Sequence, residues 1–126
     1  MKSRQNLVRL KQFQVNEKRR QLAQLDLMIA EFERMAAELE LQIAAEEKKA
    51  GITDVNHFAY PTFAKAARQR RDNLRNSQMD LLEQKKAAEG ALAEAEDELA
   101  KAELLESRDA RAHGGETGNP ARQALA

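Results

Sequence analysis

The sequence has no cysteine and no tryptophan, and of its 126 residues only two are proline and five are glycine. Without cysteine the chain can form neither a disulfide nor a thiolate zinc site. No apolar run approaches the roughly 20 residues that span a bilayer, and no hydrophobic segment near the N-terminus marks a secretory signal. We therefore expect a single cytoplasmic domain without direct membrane insertion.

Bulky apolar side chains are also scarce. Leu, Ile, Val and Phe together make 25 residues, whereas alanine alone makes 23. This is too little bulk to fill a compact globular core, but a composition rich in Ala, Glu, Lys, Leu and Arg is typical of long helices. The composition therefore predicts an all-α protein.

The apolar residues indicate two long helices. From Leu22 to Ile43 they recur at alternating intervals of three and four residues, which is the seam of a coiled coil. Gly51 is suited to end this helix in a left-handed cap, and Pro61 is suited to the first turn of the next one. The expected elements are helix 1 at about 2–50, a connector at 51–60 and helix 2 at about 61–107.

Several positions of the seam stay open. In helix 2 either Phe63 or Ala64 begins the seam, and Gln78 and Lys85 interrupt it. Upstream of Leu22 the register continues through Val8 and Val15, but it places Lys11 and Lys18 in the seam. The alternative there is a shifted apolar stripe formed by Leu7, Leu10 and Phe13.

The C-terminal residues differ in composition from the rest. Residues 113–120 contain three glycines and a proline, and such a segment does not favour a packed helix. We expect a disordered C-terminal tail at 110–126.

The net charge of zero hides an alternating pattern. Residues 1–20 carry +6, residues 21–50 carry −4, residues 51–78 carry +3 and residues 79–106 carry −6. Antiparallel helices bring blocks of opposite charge together, whereas two parallel copies of the chain would place blocks of the same charge side by side. An antiparallel homodimer also satisfies this rule, so the short connector is what favours a long antiparallel two-helix coiled-coil hairpin over residues 1–109.

Catalytic chemistry finds no support in the sequence. Catalysis needs converging groups in a water-excluded pocket, which a two-helix hairpin does not provide. His57 has no nearby serine or cysteine, and with Asp54 it makes only two possible metal ligands. Gly114-Gly115 lacks the Lys-Ser/Thr of a phosphate loop. We expect a protein that is not an enzyme, with no cofactor and no metal.

The basic N-terminal segment and the bend are the candidate binding features. The basic segment either pairs with the acidic end of helix 2 or docks an acidic partner, and a basic region before a zipper also resembles a DNA-binding basic zipper. At the bend, His57, Phe58, Tyr60 and Phe63 form a cluster that either packs the turn or exposes an anchor surface. The arginines beyond it, Arg68, Arg70, Arg71 and Arg75, are expected to pair with Glu38, Glu40, Glu46 or Glu47.

Two short motifs resemble those of the FliJ family of the bacterial flagellar type III export apparatus, most closely its alphaproteobacterial branch. Leu7-x-x-Leu10-Lys11 followed by Glu17-Lys18 is similar to the family's N-terminal motif. Tyr60-Pro61-Thr62-Phe63 is similar to its Tyr-x-x-Phe, and the resemblance covers nearly all of residues 1–107.

The resemblance implies a non-enzymatic adaptor and ATPase regulator in flagellum biogenesis and motility. Such a protein lies in the cytoplasm, peripheral to the inner-membrane face of the flagellar basal body. Its partners are the hexameric export ATPase, the membrane export-gate protein and export chaperones, and they do not include nucleic acid. Phe63, with Tyr60 and Phe58, would contact the gate, although residues 39–50 lack the aromatics of the family pattern. The ATPase ring would face Leu7, Leu10, Lys11, Lys18, Arg19 and Arg20.

The sequence leaves two other functions open. The chain could be a generic coiled-coil scaffold or spacer, for which only self-association is expected. It could also be a basic-zipper-like DNA-binding protein, for which the seam from Leu22 to Ile43 would form a parallel dimer.

Overall fold

The computed structural model describes the backbone of residues 2–125 and the side chains of residues 3–112. Over this range it contains two helices, α1 (Lys2–Ala50) and α2 (Thr62–Leu125), and no strand. The prediction of an all-α fold built on two long helices is confirmed. Residues 108–112 are still helical, beyond the predicted end of helix 2 near residue 107. Most of the predicted disordered tail, residues 113–126, lies outside the residues whose side chains are described.

The chain divides into two compact units. The first combines Met1–Leu22 with Ala88–Ala126, and the second is Ala23–Ala87. In the first unit Arg4 pairs with Asp109 and Lys11 with Glu98. As the residue number rises on α1 it falls on α2, so the two helices of this unit pack antiparallel, as the charge pattern predicts.

The second unit is closed by a seam of alternating three- and four-residue spacing on each helix. Its most buried members include Ala36 and Ile43 on α1 and Ala64, Ala67 and Leu81 on α2. Small alanine side chains allow the helix backbones to approach closely, but each contact buries little apolar area. Ala64 begins the seam of α2 in this unit, because Phe63 is 56% exposed.

In the first unit the seam follows the register of Val15, although this register places two lysines at seam positions. Val15 is 2% exposed, whereas Leu10 and Phe13 are 51% and 61% exposed. Lys11 and Lys18 lie half-buried in the seam on either side of Val15. The shifted apolar stripe is therefore not the packed face. An uninterrupted helix fixes the angular position of each residue, and long lysine stems can lie along apolar surface while the ammonium reaches outward.

Gly51 ends α1 in the left-handed conformation that the sequence predicts. Its φ is 70°, and the Glu47 carbonyl accepts hydrogen bonds from the N–H of Gly51 at 2.8 Å and of Ile52 at 3.3 Å. These bonds satisfy a carbonyl that the end of the helix would otherwise leave without a partner.

The connector consists of turns and contains no helix. The Asp54 carboxylate accepts the N–H of Asn56 at 3.0 Å, so Asp54 caps a turn. The His57 carbonyl then accepts the N–H of Tyr60 at 3.0 Å. The Pro61 carbonyl accepts the N–H of Lys65 at 3.0 Å. Pro61 thus stands directly before α2, where its missing N–H leaves no hydrogen bond unmade.

We expect opposite effects from replacing two glycines with alanine. Gly90 lies inside α2 with open space where the Cβ of an alanine would lie, so Gly90→Ala should raise the free energy of unfolding by about 0.5–1 kcal/mol. Gly51→Ala should lower it by about 1 kcal/mol, because an alanine at φ 70° is strained. Urea titration followed by circular dichroism measures both, and equal signs for the two variants would contradict the expectation.

Candidate functional site

Tyr60 connects the bend to both helices. It is 8% exposed, and its hydroxyl donates a 2.8 Å hydrogen bond to Glu47 Oε2 on α1. Arg68 of α2 lies 3.6 Å from the same carboxylate oxygen. Burial, together with the hydrogen bond to Glu47, raises the pKa of the Tyr60 phenol above its usual value, so the phenol stays protonated and keeps donating. Tyr60 therefore packs the turn, and its ring is not available as a surface anchor.

Phe58 has the opposite environment, two residues away. It is 96% exposed and stacks on His57, with ring centroids 4.8 Å apart and an interplanar angle of 22°. His57 Nδ1 accepts the N–H of Ala59 at 3.0 Å, which holds the imidazole in the turn. Of the three residues predicted to contact the gate, the structure places Phe58 and Phe63 at the surface and Tyr60 inside.

A groove runs between α1 and α2 in the second unit, and Phe63 lies at one end of it. It is composed of two adjoining depressions that share Leu39, Gln42 and Arg70. Leu39 and Gln42 occupy the part of α1 where the family pattern would place aromatics. The α1 wall is Met35, Glu38, Leu39 and Gln42, and the α2 wall is Phe63, Ala66, Ala67, Arg70 and Leu74.

The other edge of the same seam carries polar contacts at regular intervals. Acids recur every seven residues along α1, at Asp26, Glu33, Glu40 and Glu47. All four contact α2. We call this side the ion-pair edge, because such flanking positions carry the cross-helix ion pairs of coiled coils. Their partners are Lys85 at 2.8 Å from Asp26, Gln78 at 3.1 Å from Glu33, Arg75 with Glu40, and Arg68 with Glu47.

The four arginines at the start of α2 do not share one role. Arg68 pairs with Glu47, and both Arg71 and Arg75 pair with Glu40. Arg70 lines the groove instead and has no ion-pair partner among residues 3–112. The expected pairing with α1 therefore holds for three of the arginines, and a free guanidinium remains in the groove.

In the first unit most of the predicted ring-facing cations are engaged within the chain. Lys11 lies 3.0 Å from Glu98 and Arg19 lies 3.2 Å from Glu96. Arg20 pairs with Glu17 on its own helix. Lys18 lines a depression that Glu94 and Glu98 also line. The basic segment thus serves largely to match the acidic part of α2.

The first unit also exposes apolar side chains. Leu10 and Phe13 lie three residues apart on the outer side of α1 and are 51% and 61% exposed. Leu7, the third residue of that stripe, is half-buried. Phe13 was not among the predicted site residues, although its spacing from Leu10 placed both on one helix face. On α2, Leu104 is 50% exposed.

The described residues contain no group of three or more His, Cys, Asp or Glu side chains that could hold a metal ion. Within the same part of the chain, neither helix contains an apolar stretch able to cross a membrane. No family model matches the chain, and neither a curated protein nor a solved structure matches it.

Proposed function

We propose that this chain is a soluble, non-enzymatic adaptor of the bacterial flagellar type III export apparatus. It binds and stimulates the hexameric export ATPase and links the ATPase to the membrane export gate and to export chaperones. It acts in the cytoplasm, at the inner-membrane face of the flagellar basal body. The first unit contacts the ATPase ring, and the exposed aromatics of the second unit contact the gate.

The observation that carries the proposal is the surface of the first unit. There the cross-helix ion pairs Arg4–Asp109, Lys11–Glu98 and Arg19–Glu96 hold α1 against α2. Leu10 and Phe13 remain exposed beside them. When the charges of a helix pair are paired with one another, removing them from water inside a protein ring costs less free energy than removing unpaired charges. The exposed apolar side chains then supply the binding anchors.

The two aromatics at the surface of the second unit support a separate contact. Phe58 is 96% exposed and Phe63 is 56% exposed. Large aromatic side chains at a protein surface are typical binding anchors. They belong to the segment that carries the Tyr60–Phe63 motif of the resemblance.

The packing does not favour the DNA-binding alternative. A basic zipper would need the seam from Leu22 to Ile43 for a parallel partner helix. Ile43 is 4% exposed within the second unit, where this part of α1 packs antiparallel on α2. The scaffold alternative is separated from the adaptor only by assays with the partners.

We expect two double variants to have crossed effects. Leu10→Ala with Phe13→Ala should weaken binding to a flagellar export ATPase about tenfold or more, because exposed apolar anchors carry much of the binding energy. It should leave binding to the cytoplasmic domain of the export gate unchanged. Phe58→Ala with Phe63→Ala should do the reverse. Titration calorimetry measures both affinities, and ATP turnover of the export ATPase reports stimulation.

Each double variant serves as the control for the other, and circular dichroism checks that both remain helical. Absence of both binding and stimulation by the unsubstituted chain would reject the adaptor function and leave the scaffold. Equal loss of both partners in each variant would instead mean that the substitutions act through stability.

A further inference from the structure

We propose that the bend of the second unit docks on the surface of an anionic lipid bilayer. The ring of Phe58 enters the headgroup layer, and the exposed lysines Lys48, Lys49 and Lys65 pair with lipid phosphates. We call these four residues the bend surface. The contact is peripheral, requires lipid alone and is independent of the proposed function.

The exposure of Phe58 is the first reason. Phe58 is 96% exposed, the highest value among the large apolar side chains described. Its ring stacks on His57, and His57 Nδ1 accepts the N–H of Ala59. These contacts hold the ring in place in the free chain, so that little further ordering is needed on binding. Phenylalanine is one of the side chains that peripheral proteins bury at the boundary between headgroups and acyl chains.

The lysines around the bend are the second reason. Lys48 and Lys49 lie in the last turn of α1, and Lys65 lies in the first turn of α2. All three are exposed and have no ion pair among residues 3–112. The bond from Tyr60 to Glu47 folds the connector back onto the last turn of α1, which keeps the lysines and Phe58 at the same end of the unit.

The acids of this region do not cancel the lysines. Asp54 is the one acid between residues 48 and 65, so the exposed charges there are three positive and one negative, a net of +2. Glu47 is already engaged by Tyr60 and Arg68. Glu46 is half-buried, three residues after Ile43 of the seam. The surface at the bend is therefore basic, and an anionic lipid surface is its charge complement.

Helix stability does not account for all three lysines. The C-terminal end of a helix favours cations, which suits Lys48 and Lys49. The N-terminal end favours anions, yet the first turn of α2 contains no acid and carries Lys65. This lysine opposes the helix dipole, so its position favours a role outside the helix.

The combination of one protruding ring and separate lysines favours lipid over a protein partner. A protein would need a preformed pocket for the ring and fixed carboxylates for the lysines. Lipid headgroups rearrange around an inserted ring, and their phosphates can follow the long lysine side chains. The bend surface thus meets the requirements of a bilayer without further shape.

The test mixes the full chain with sedimentable vesicles. One kind is phosphatidylcholine alone, and the other is an equal mixture of phosphatidylcholine and phosphatidylglycerol. Three lysines and one partly buried ring should give a dissociation constant on the order of 0.1–1 mM in lipid on the anionic vesicles. Binding to the neutral vesicles should be at least about tenfold weaker. Salt at about 1 M should release the chain, because it screens the lysines.

Matched variants separate the bend surface from bulk charge. Lys48→Gln with Lys49→Gln should weaken binding to the anionic vesicles about tenfold or more, and Phe58→Ala should weaken it about fivefold. Lys86→Gln removes the charge of another exposed lysine of the second unit and should change binding less than about twofold. Circular dichroism checks that each variant remains helical.

Tryptophan reporters locate the contact, because the chain has no tryptophan of its own. The emission of Phe58→Trp should move to shorter wavelength on the anionic vesicles as the indole leaves water. Leu27→Trp is the control, since Leu27 is 72% exposed and lies on the same helix about 30 Å from Lys48. Its emission should not move.

Four results would overturn the proposal. The first is no binding to the anionic vesicles, or equal binding to both kinds. The second is a loss in Lys86→Gln as large as in the double lysine variant. The third is an emission shift in Leu27→Trp as large as in Phe58→Trp, or unchanged binding in Phe58→Ala, which would leave only adsorption of charge.

The fourth result concerns a protein partner. The double lysine variant Lys48→Gln with Lys49→Gln should bind the cytoplasmic domain of the export gate in solution as the unsubstituted chain does. Loss of that binding, with no effect on vesicles, would identify an acidic protein surface as the partner of the lysines. Because the vesicle assays contain no export protein, their failure leaves the proposed function untouched, and failure of the ATPase and gate assays leaves the lipid contact untouched.

Discussion

Tyr60→Ala should lower the free energy of unfolding by about 3 kcal/mol, which is the usual cost of removing a large buried ring. Tyr60 is 8% exposed and bonds to Glu47 across the bend, so its loss leaves both a cavity and a carboxylate without its hydroxyl donor. The backbone carbonyl of Glu47 also accepts the N–H groups of Gly51 and Ile52. Disturbing Glu47 therefore affects the end of α1 as well as the turn. Urea titration followed by circular dichroism measures the change.

Two further variants divide this effect into its parts. Tyr60→Phe removes only the hydroxyl and should cost about 1 kcal/mol. Phe58→Ala removes a ring that is 96% exposed and should change stability by less than about 0.5 kcal/mol. If Phe58→Ala were as destabilising as Tyr60→Ala, the assignment of Tyr60 as the residue that packs the bend would be wrong.

Replacing Lys11 and Lys18 with leucine should stabilise the chain. It should also weaken the stimulation of the export ATPase that we propose, because both lysines are among the residues proposed to face the ATPase ring. Each lysine lies half-buried in the seam of the first unit, where leucine would bury apolar surface worth about 1–1.5 kcal/mol. The ion pair of Lys11 with Glu98, whose side chain is 54% exposed, offsets this by less than about 1 kcal/mol. The net gain is about 2 kcal/mol for the double variant, seen as a rise in the midpoint of thermal unfolding.

The matched control is Lys86→Leu, at an exposed position of α2, which should leave the midpoint of thermal unfolding unchanged. A gain in stability with reduced ATPase stimulation would show that the seam lysines are kept for binding at a cost in stability. A lower midpoint in the double variant would mean that the lysine contacts with α2 contribute more than the apolar area that leucine buries.

Much of the fold could be predicted because the helical periodicity and the alternation of charge blocks are both visible in the order of the residues. The spacing from Leu22 to Ile43 specifies one face of α1, and alternating charge blocks specify antiparallel packing. Gly51 was predictable as the end of α1, since glycine has no Cβ to oppose a positive φ. The seven-residue recurrence of acids at the ion-pair edge was equally visible in the sequence.

The candidate site was less predictable. Its residues lie in the connector, where the helical periodicity stops, or near the N-terminus, where two faces of α1 are both apolar enough to form the packed face. In the connector no repeat indicates which aromatic turns inward, and Tyr60 is buried while Phe58 is exposed. Near the N-terminus, composition favoured the stripe of Leu10 and Phe13 as much as the seam around Val15. Among neighbouring arginines, sequence alone did not distinguish Arg70 from those that pair with α1.

The sequence by itself determined two long helices, their antiparallel order and the glycine that ends the first. These properties follow from local propensity and from the sum of many weak charge contacts, both of which can be read from the order of residues alone. Only the tertiary structure decided which side chains stay free to bind. In the first unit, packing against α2 keeps Lys11 and Lys18 in the seam. The same packing engages three of the four arginines at the start of α2 and leaves Arg70 exposed beside Phe63.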